Sequence, residues 1–141
     1  MRARLFELAS AFRAAIEGAD RSALVFPFDQ FPDGCCGDTA QMLGHFLIAH
    51  DIRDVRYMSG ERGQPGNDWK SHAWLRVDGF IVDITADQFP EMDEPVIVAA
   101  NSPWHGTFTV KDEGGDNTSI ADLGDIYIAI MKALDPALRP S

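Results

Sequence analysis

His72-Ala-Trp-Leu-Arg-Val-Asp-Gly-Phe-Ile-Val-Asp-Ile-Thr85 carries the pattern that decides the fold. Two alternating runs, 72–77 and 80–84, flank Asp78-Gly79, the dipeptide favoured in a two-residue type I′ hairpin turn. With those two residues at the turn, Val77 pairs with Phe80, Leu75 with Val82 and Ala73 with Ile84. That face is wholly apolar and predicts the core side. The opposite face carries His72, Trp74 and Arg76 from one strand and Ile81, Asp83 and Thr85 from the other.

On that second face His72 and Asp83 are diagonal neighbours, roughly 7–8 Å apart, which lets an imidazole and a carboxylate share a hydrogen bond. An aspartate inside Phe80-Ile-Val-Asp-Ile84 needs such a partner, because strand interiors disfavour Asp and an unpaired buried charge is costly. Asp87, the nearest rival carboxylate, falls after the strand and reads as an ordinary exposed turn residue.

Upstream, Ala40, Leu43, Phe46 and Leu47 lie on one side of a helix predicted over 36–50, with Asp33-Gly34 as the turn that leads into it and Asp38 in its first turn. Cys35 and Cys36 therefore stand at a helix N-terminus, where free N–H groups and the positive end of the dipole lower a thiol pKa. A free cysteine taken alone is more often a packing residue, and Cys35 keeps that reading. Cys36, His72 and Asp83 together make a complete nucleophile, base and orienting acid.

The remaining chain predicts an α+β domain spanning 1–141, with helices packed on an antiparallel sheet. Leu5, Leu8, Ala9, Phe12 and Ile16 mark an amphipathic helix ending near Gly18. Residues 26–34, with two prolines and three phenylalanines, predict an irregular, partly buried connection. A short strand over 55–59 precedes a mobile loop over 60–68. Further strands are predicted over 96–100 and 107–111, a loop over 112–117, and a closing helix marked by Ile120, Leu123, Tyr127, Ile130 and Leu134.

Hydrophobic residues at 45% and charged residues at 24% place the chain among folded globular proteins. The formal charge of −10 repels a phosphate backbone and argues against nucleic acid as a partner. No apolar run approaches the ~20 residues of a membrane span, and Arg2, Arg4, Glu7 and Arg13 interrupt the first segment, so neither a membrane partner nor a signal peptide is expected. The two cysteines are adjacent, which fits a reducing cytoplasm. They also lack the spacing of a zinc site with His45, so no metal is predicted. His45, His50 and His105 read as surface or capping residues.

Three motifs in order resemble the transglutaminase-like branch of the papain-type cysteine enzymes. Gly34-Cys-Cys36-Gly-Asp-Thr-Ala40 is similar to that superfamily's G-x-C-x-D-x-A at a helix start, and His72-Ala-Trp74 to its H-A-W on a strand. Asp83-Ile-Thr85 is similar to its D-P-T, with isoleucine in place of proline. The resemblance covers about Gly34 to Thr85 and implies a transglutaminase-like core with Cys36 as nucleophile, His72 as base and Asp83 as orienting acid.

The expected activity is acyl transfer on an amide or peptide bond through a thioester, with hydrolysis ranked above cross-linking and no cofactor. The expected partner is a protein, peptide or small amide substrate. Gln30 stands six residues before Cys36, similar to the spacing of the oxyanion-hole glutamine of papain-type proteases, while the amide of Cys36 is the other candidate donor. Trp74 is expected to wall the site or donate its indole N–H, and Trp69 either to cover the cleft or to anchor its loop. The competing reading is a non-catalytic binding module that keeps the fold and recognises a partner through Trp69, Trp74 and the 60–68 loop.

Overall fold

The computed structural model describes residues 1–115 and 119–140, giving for 112–115 the backbone path alone. Helix α1 (Arg2–Gly18) follows the predicted spacing, and Leu5, Leu8, Ala9, Phe12 and Ile16 form its buried stripe. Helix α2 (Cys36–Ala49) buries Ala40, Met42, Leu43, Phe46 and Leu47. Strands β1 (Val55–Gln64), β2 (Asn67–Val77), β3 (Phe80–Asp83), β4 (Ile97–Ala99) and β5 (Thr109–Gly115) precede helix α3 (Gly124–Ala133). The architecture is α+β, with a five-stranded antiparallel sheet in the order β4-β3-β2-β1-β5.

The β2–β3 hairpin has the predicted register, with Val77 opposite Phe80 and Leu75 opposite Val82. Asp78 and Gly79 have φ values of 50° and 83°, the left-handed pair that a type I′ turn demands. Leu75, Val77, Val82 and Ile84 join the large core built with α1, α2 and α3. The other face is also covered: Trp74 and Ile81 pack with Met58, Phe89 and Phe108 in a second, smaller cluster. Both faces of the hairpin are therefore dry, which is why a histidine and an aspartate there end up buried.

Three boundaries differ from the sequence reading. Residues 60–68 are not a loop; β1 and β2 continue as a hairpin, pairing Glu61 with Ser71 and Arg62 with Lys70. The breakers are concentrated at its tip, where Gly63 at φ 80° absorbs a bulge between Arg62 and Gln64. Second, β5 runs over 109–115 and not 107–111, drawn on by pairing with β1. Of the predicted 112–117 loop, 112–115 are thus strand, and 116–117 lie outside the described residues. Third, α3 begins at Gly124; Ile120 and Leu123 reach the core from the turn before it.

The buried Arg13 guanidinium ties α1 to the segment after β3. It donates to Asp87 through two nitrogens, at 2.8 and 2.9 Å, and to the Ile84 carbonyl at 2.7 Å. Asp87 is therefore an anchor and not the loose turn carboxylate expected, and it fixes the chain just beyond Asp83. Among the described residues no helix is long and apolar enough to cross a membrane.

Phe12 is fully buried, with its ring 5.1 Å from Phe46 and 6.3 Å from Tyr127. Phe12→Ala is expected to destabilise the fold by about 3–5 kcal/mol, read as a lower urea midpoint at unchanged slope.

Candidate active site

Strand alternation aims His72 and Asp83 into the smaller cluster, and the tip of α2 brings Cys36 to β2 beside them. His72 Nε2 donates to Asp83 Oδ2 at 2.7 Å, and both side chains are almost wholly buried. The Cys36 thiol is influenced by the same imidazole and by the Ala73 N–H, and with His72 it lines one cavity. Cys36, half-buried, lines a cavity of about 410 Å³ with Gly37, Tyr57, Ser59, Ser71 and His72, so its sulfur meets both the base and the outside.

Burial opposes a charge on each of the three groups, yet their mutual contacts prevail. Asp83 is held well below the usual carboxylate range, because hydrogen bonds from His105 and His72, with their charges, outweigh its desolvation. The His72 imidazole, against the cost of burial, is raised to about 9 by Asp83 and Cys36. Cys36 is lowered despite burial, by the hydrogen bond and charge of His72 and by the Ala73 N–H. Both directions favour the thiolate and the imidazolium over the neutral pair. Cys35 goes the other way: it is buried in the large core, its thiol donates to the Pro32 carbonyl at 3.6 Å, and burial pushes it up to about 11.

The His72 ring sits in an aromatic box. Trp74 stacks on it at 5.7 Å and 29°, Phe89 and Trp104 meet it edge-on, and Phe108 closes the remaining side at 5.9 Å. The box faces favour an imidazolium. The Arg62 guanidinium lies over the Phe108 ring at 4.8 Å and pairs with Glu91, which in turn accepts from the Trp104 indole at 3.0 Å. Trp74 thus backs the His72 ring and does not line the cavity over Cys36.

Against known protein families, curated proteins and solved structures, nothing matches this chain. The chemistry must come from the geometry itself, which departs from expectation at four residues.

Gln30 is exposed on a short 3-10 turn and lines no part of the cavity over Cys36. The two cis peptide bonds around it, Phe26-Pro27 and Phe31-Pro32, define a path that spacing alone does not convey. Trp69 is 45% exposed, donates its indole N–H to Glu61 at 3.0 Å, and lines a neighbouring cavity that shares Glu61 and Lys111 with the first. It flanks the approach and does not cap the sulfur, because the hairpin extension carries it outward.

His105, expected at the surface, is buried, and its Nε2 donates to the same Asp83 oxygen at 2.7 Å. A short Ser-Pro-Trp-His loop has no periodicity to disclose this. Gln88, also unforeseen, donates to the Thr85 carbonyl at 3.0 Å with its nitrogen 3.4 Å from His72 Nδ1.

His72, Asp83 and His105 offer ligand-type atoms within 4.8 Å of one another, a cluster of a kind that binds metals. Here both Nε2 atoms carry the hydrogens that Asp83 accepts, so the lone pairs a metal needs are engaged.

Asp83→Ala strands two buried donors and is expected to cost about 3–5 kcal/mol in urea unfolding. Since Asp83 is depressed below its ordinary 3.8, its contribution to stability is complete above about pH 4 and drains away as pH falls through the folded value. By NMR, the His72 ring is expected to titrate near pH 9 and to fall back toward 6.5 in Asp83→Asn.

Proposed function

We propose that this chain is a cysteine-dependent acyl-transfer enzyme acting on an amide or peptide bond, built on a transglutaminase-like core. One observation carries the reading: the Cys36 thiol, lowered in pKa by the neighbouring His72 and lining a cavity with it, sits beside an imidazole held by a buried carboxylate. Free cysteines packed for bulk have their pKa raised, as Cys35 does next door.

The Cys36 thiolate attacks the carbonyl carbon, and the new C–S bond pushes an electron pair onto oxygen. The first N–H groups of α2 have no intrahelical partner and stand beside the sulfur, where they stabilise the oxyanion. As the carbonyl re-forms, the C–N bond breaks and His72, protonated at Nδ1, gives that proton to the departing amine. A thioester on Cys36 remains. Water then attacks it with neutral His72 as base, releasing the acid and restoring the thiolate–imidazolium pair. An amine in place of water gives transfer.

The orientation of His72 follows from acceptor-only Asp83: with Nε2–H committed to the carboxylate, Nδ1 is left for the thiol proton. The cavity contains small and hydroxyl side chains, Gly37, Ser59, Gly60 and Ser71, with Glu61 and Lys111 at its outer side, which suits a polar amide.

Iodoacetamide labelling across pH, read by mass spectrometry, tests the proposal. Cys36 is expected to be alkylated well below pH 8, with Cys35 silent, and His72→Ala to slow Cys36 at pH 7 by roughly tenfold or more. An amide library should be turned over by wild type and untouched by Cys36→Ala. A Cys36 that labels like an ordinary thiol, with no turnover, would instead favour the binding-module reading.

A further inference from the structure

Asp83 holds His72, and the structure also shows what holds Asp83. Oδ1 accepts the Thr85 N–H at 2.9 Å and the Thr85 hydroxyl at 3.4 Å, both from a residue two positions on. Oδ2 is shared by His72 Nε2 and His105 Nε2, each at 2.7 Å. On the far side of His105, Nδ1 lies 2.6 Å from Ser102 Oγ.

The protonation pattern along this run of hydrogen bonds is fixed by its middle. A carboxylate only accepts, so Nε2 of His105 must carry hydrogen, which leaves Nδ1 facing the Ser102 hydroxyl. The opposite tautomer would set a lone pair against a carboxylate oxygen at 2.7 Å. Asp83 thus orients both rings, and Ser102 meets the far nitrogen of His105.

The ring of His105 is wedged between Trp104 at 4.8 Å and Trp74 at 5.0 Å, and Trp74 itself stacks on His72. The charged and titratable groups around this pair are Asp83 from β3, His72 from β2, Cys36 from α2, and the Arg62–Glu91 pair across the aromatic rings.

We propose that His105 is a positioning residue: with Ser102 it holds the Asp83 carboxylate so that Oδ2 stays aimed at His72, and the reactivity of Cys36 depends on it. This inference rests on the acyl-transfer reading and extends it from three residues to a linear array of five, Ser102, His105, Asp83, His72 and Cys36. His105 does not line the cavity over the sulfur, so it acts through Asp83 and through its ring contacts with His72 and Trp74.

The test is the pH profile of Cys36 alkylation by iodoacetamide in the full chain, with near-UV circular dichroism to confirm packing. His105→Phe keeps a ring between the tryptophans and removes the donor. It is expected to move the profile to higher pH and to slow alkylation at pH 6.5 by roughly tenfold, one pKa unit. His105→Gln can present an N–H at a similar place and is expected to restore the rate to within about threefold of wild type. Ser102→Ala, on the protein's flank and expected to fold whatever happens to His105→Phe, should shift the profile the same way by about threefold.

A folded His105→Phe whose profile overlays wild type overturns the proposal and leaves the acyl-transfer reading standing. The proposal falls equally if His105→Phe does not fold and Ser102→Ala overlays wild type. An ordinary thiol profile in wild type itself removes both.

Discussion

A carboxylate with water excluded from both sides of its strand is stable only if donors surround it, and the site is arranged around that requirement. Asp83 accepts from His72, from His105 and from the Thr85 backbone. Those donors come from β2, from the loop before β5 and from the turn after β3, so satisfying one buried charge joins three separate stretches of chain. The ordering of His72 is a by-product of that satisfaction, and the lowered pKa of Cys36 follows in part from its place beside His72.

Covering the second face of the hairpin makes this possible. In an antiparallel sheet with one wet face, His72 and Asp83 would be solvated and their coupling screened. Phe89, Trp104 and Phe108 close that face with rings that carry no competing hydrogen-bond acceptor, leaving the polar groups to one another. Arg62, lying over the same rings and paired with Glu91, turns its charge outward. Helix α2 approaches from the other side and needs to contribute only its tip, which is why a 14-residue helix can serve both core and chemistry.

The sequence disclosed what is local. Asp78-Gly79 determined the hairpin register, the register put His72 diagonal to Asp83, and an aspartate in an apolar strand asked for a partner. The apolar stripes of α1 and α2 were equally legible. What escaped were contacts made by residues with no periodic pattern: His105 in a Pro-containing loop, Gln88 in a 3-10 turn, Arg13 on a helix face otherwise apolar. Arg13 did leave a trace, four residues after Ala9 and three before Ile16, on the stripe that packs inward. Gln30 was misplaced because spacing along an irregular connection says little about distance in space. The breakers of 60–68 overstated a loop, since strand pairing carried through all but the tip.

The reach of these contacts along the chain sets when the chemistry can begin. Arg13 bonds residues 71 and 74 positions away, and His105 bonds Asp83 from 22 positions downstream. A nascent chain that has exported Cys36 and even His72 still lacks the loop that completes the carboxylate's surroundings. Until residue 105 emerges and the aromatic face closes, the sulfur has the modest nucleophilicity of any unfolded cysteine. On the proposed acyl-transfer reading, completion of the tertiary structure is thus the event that arms it.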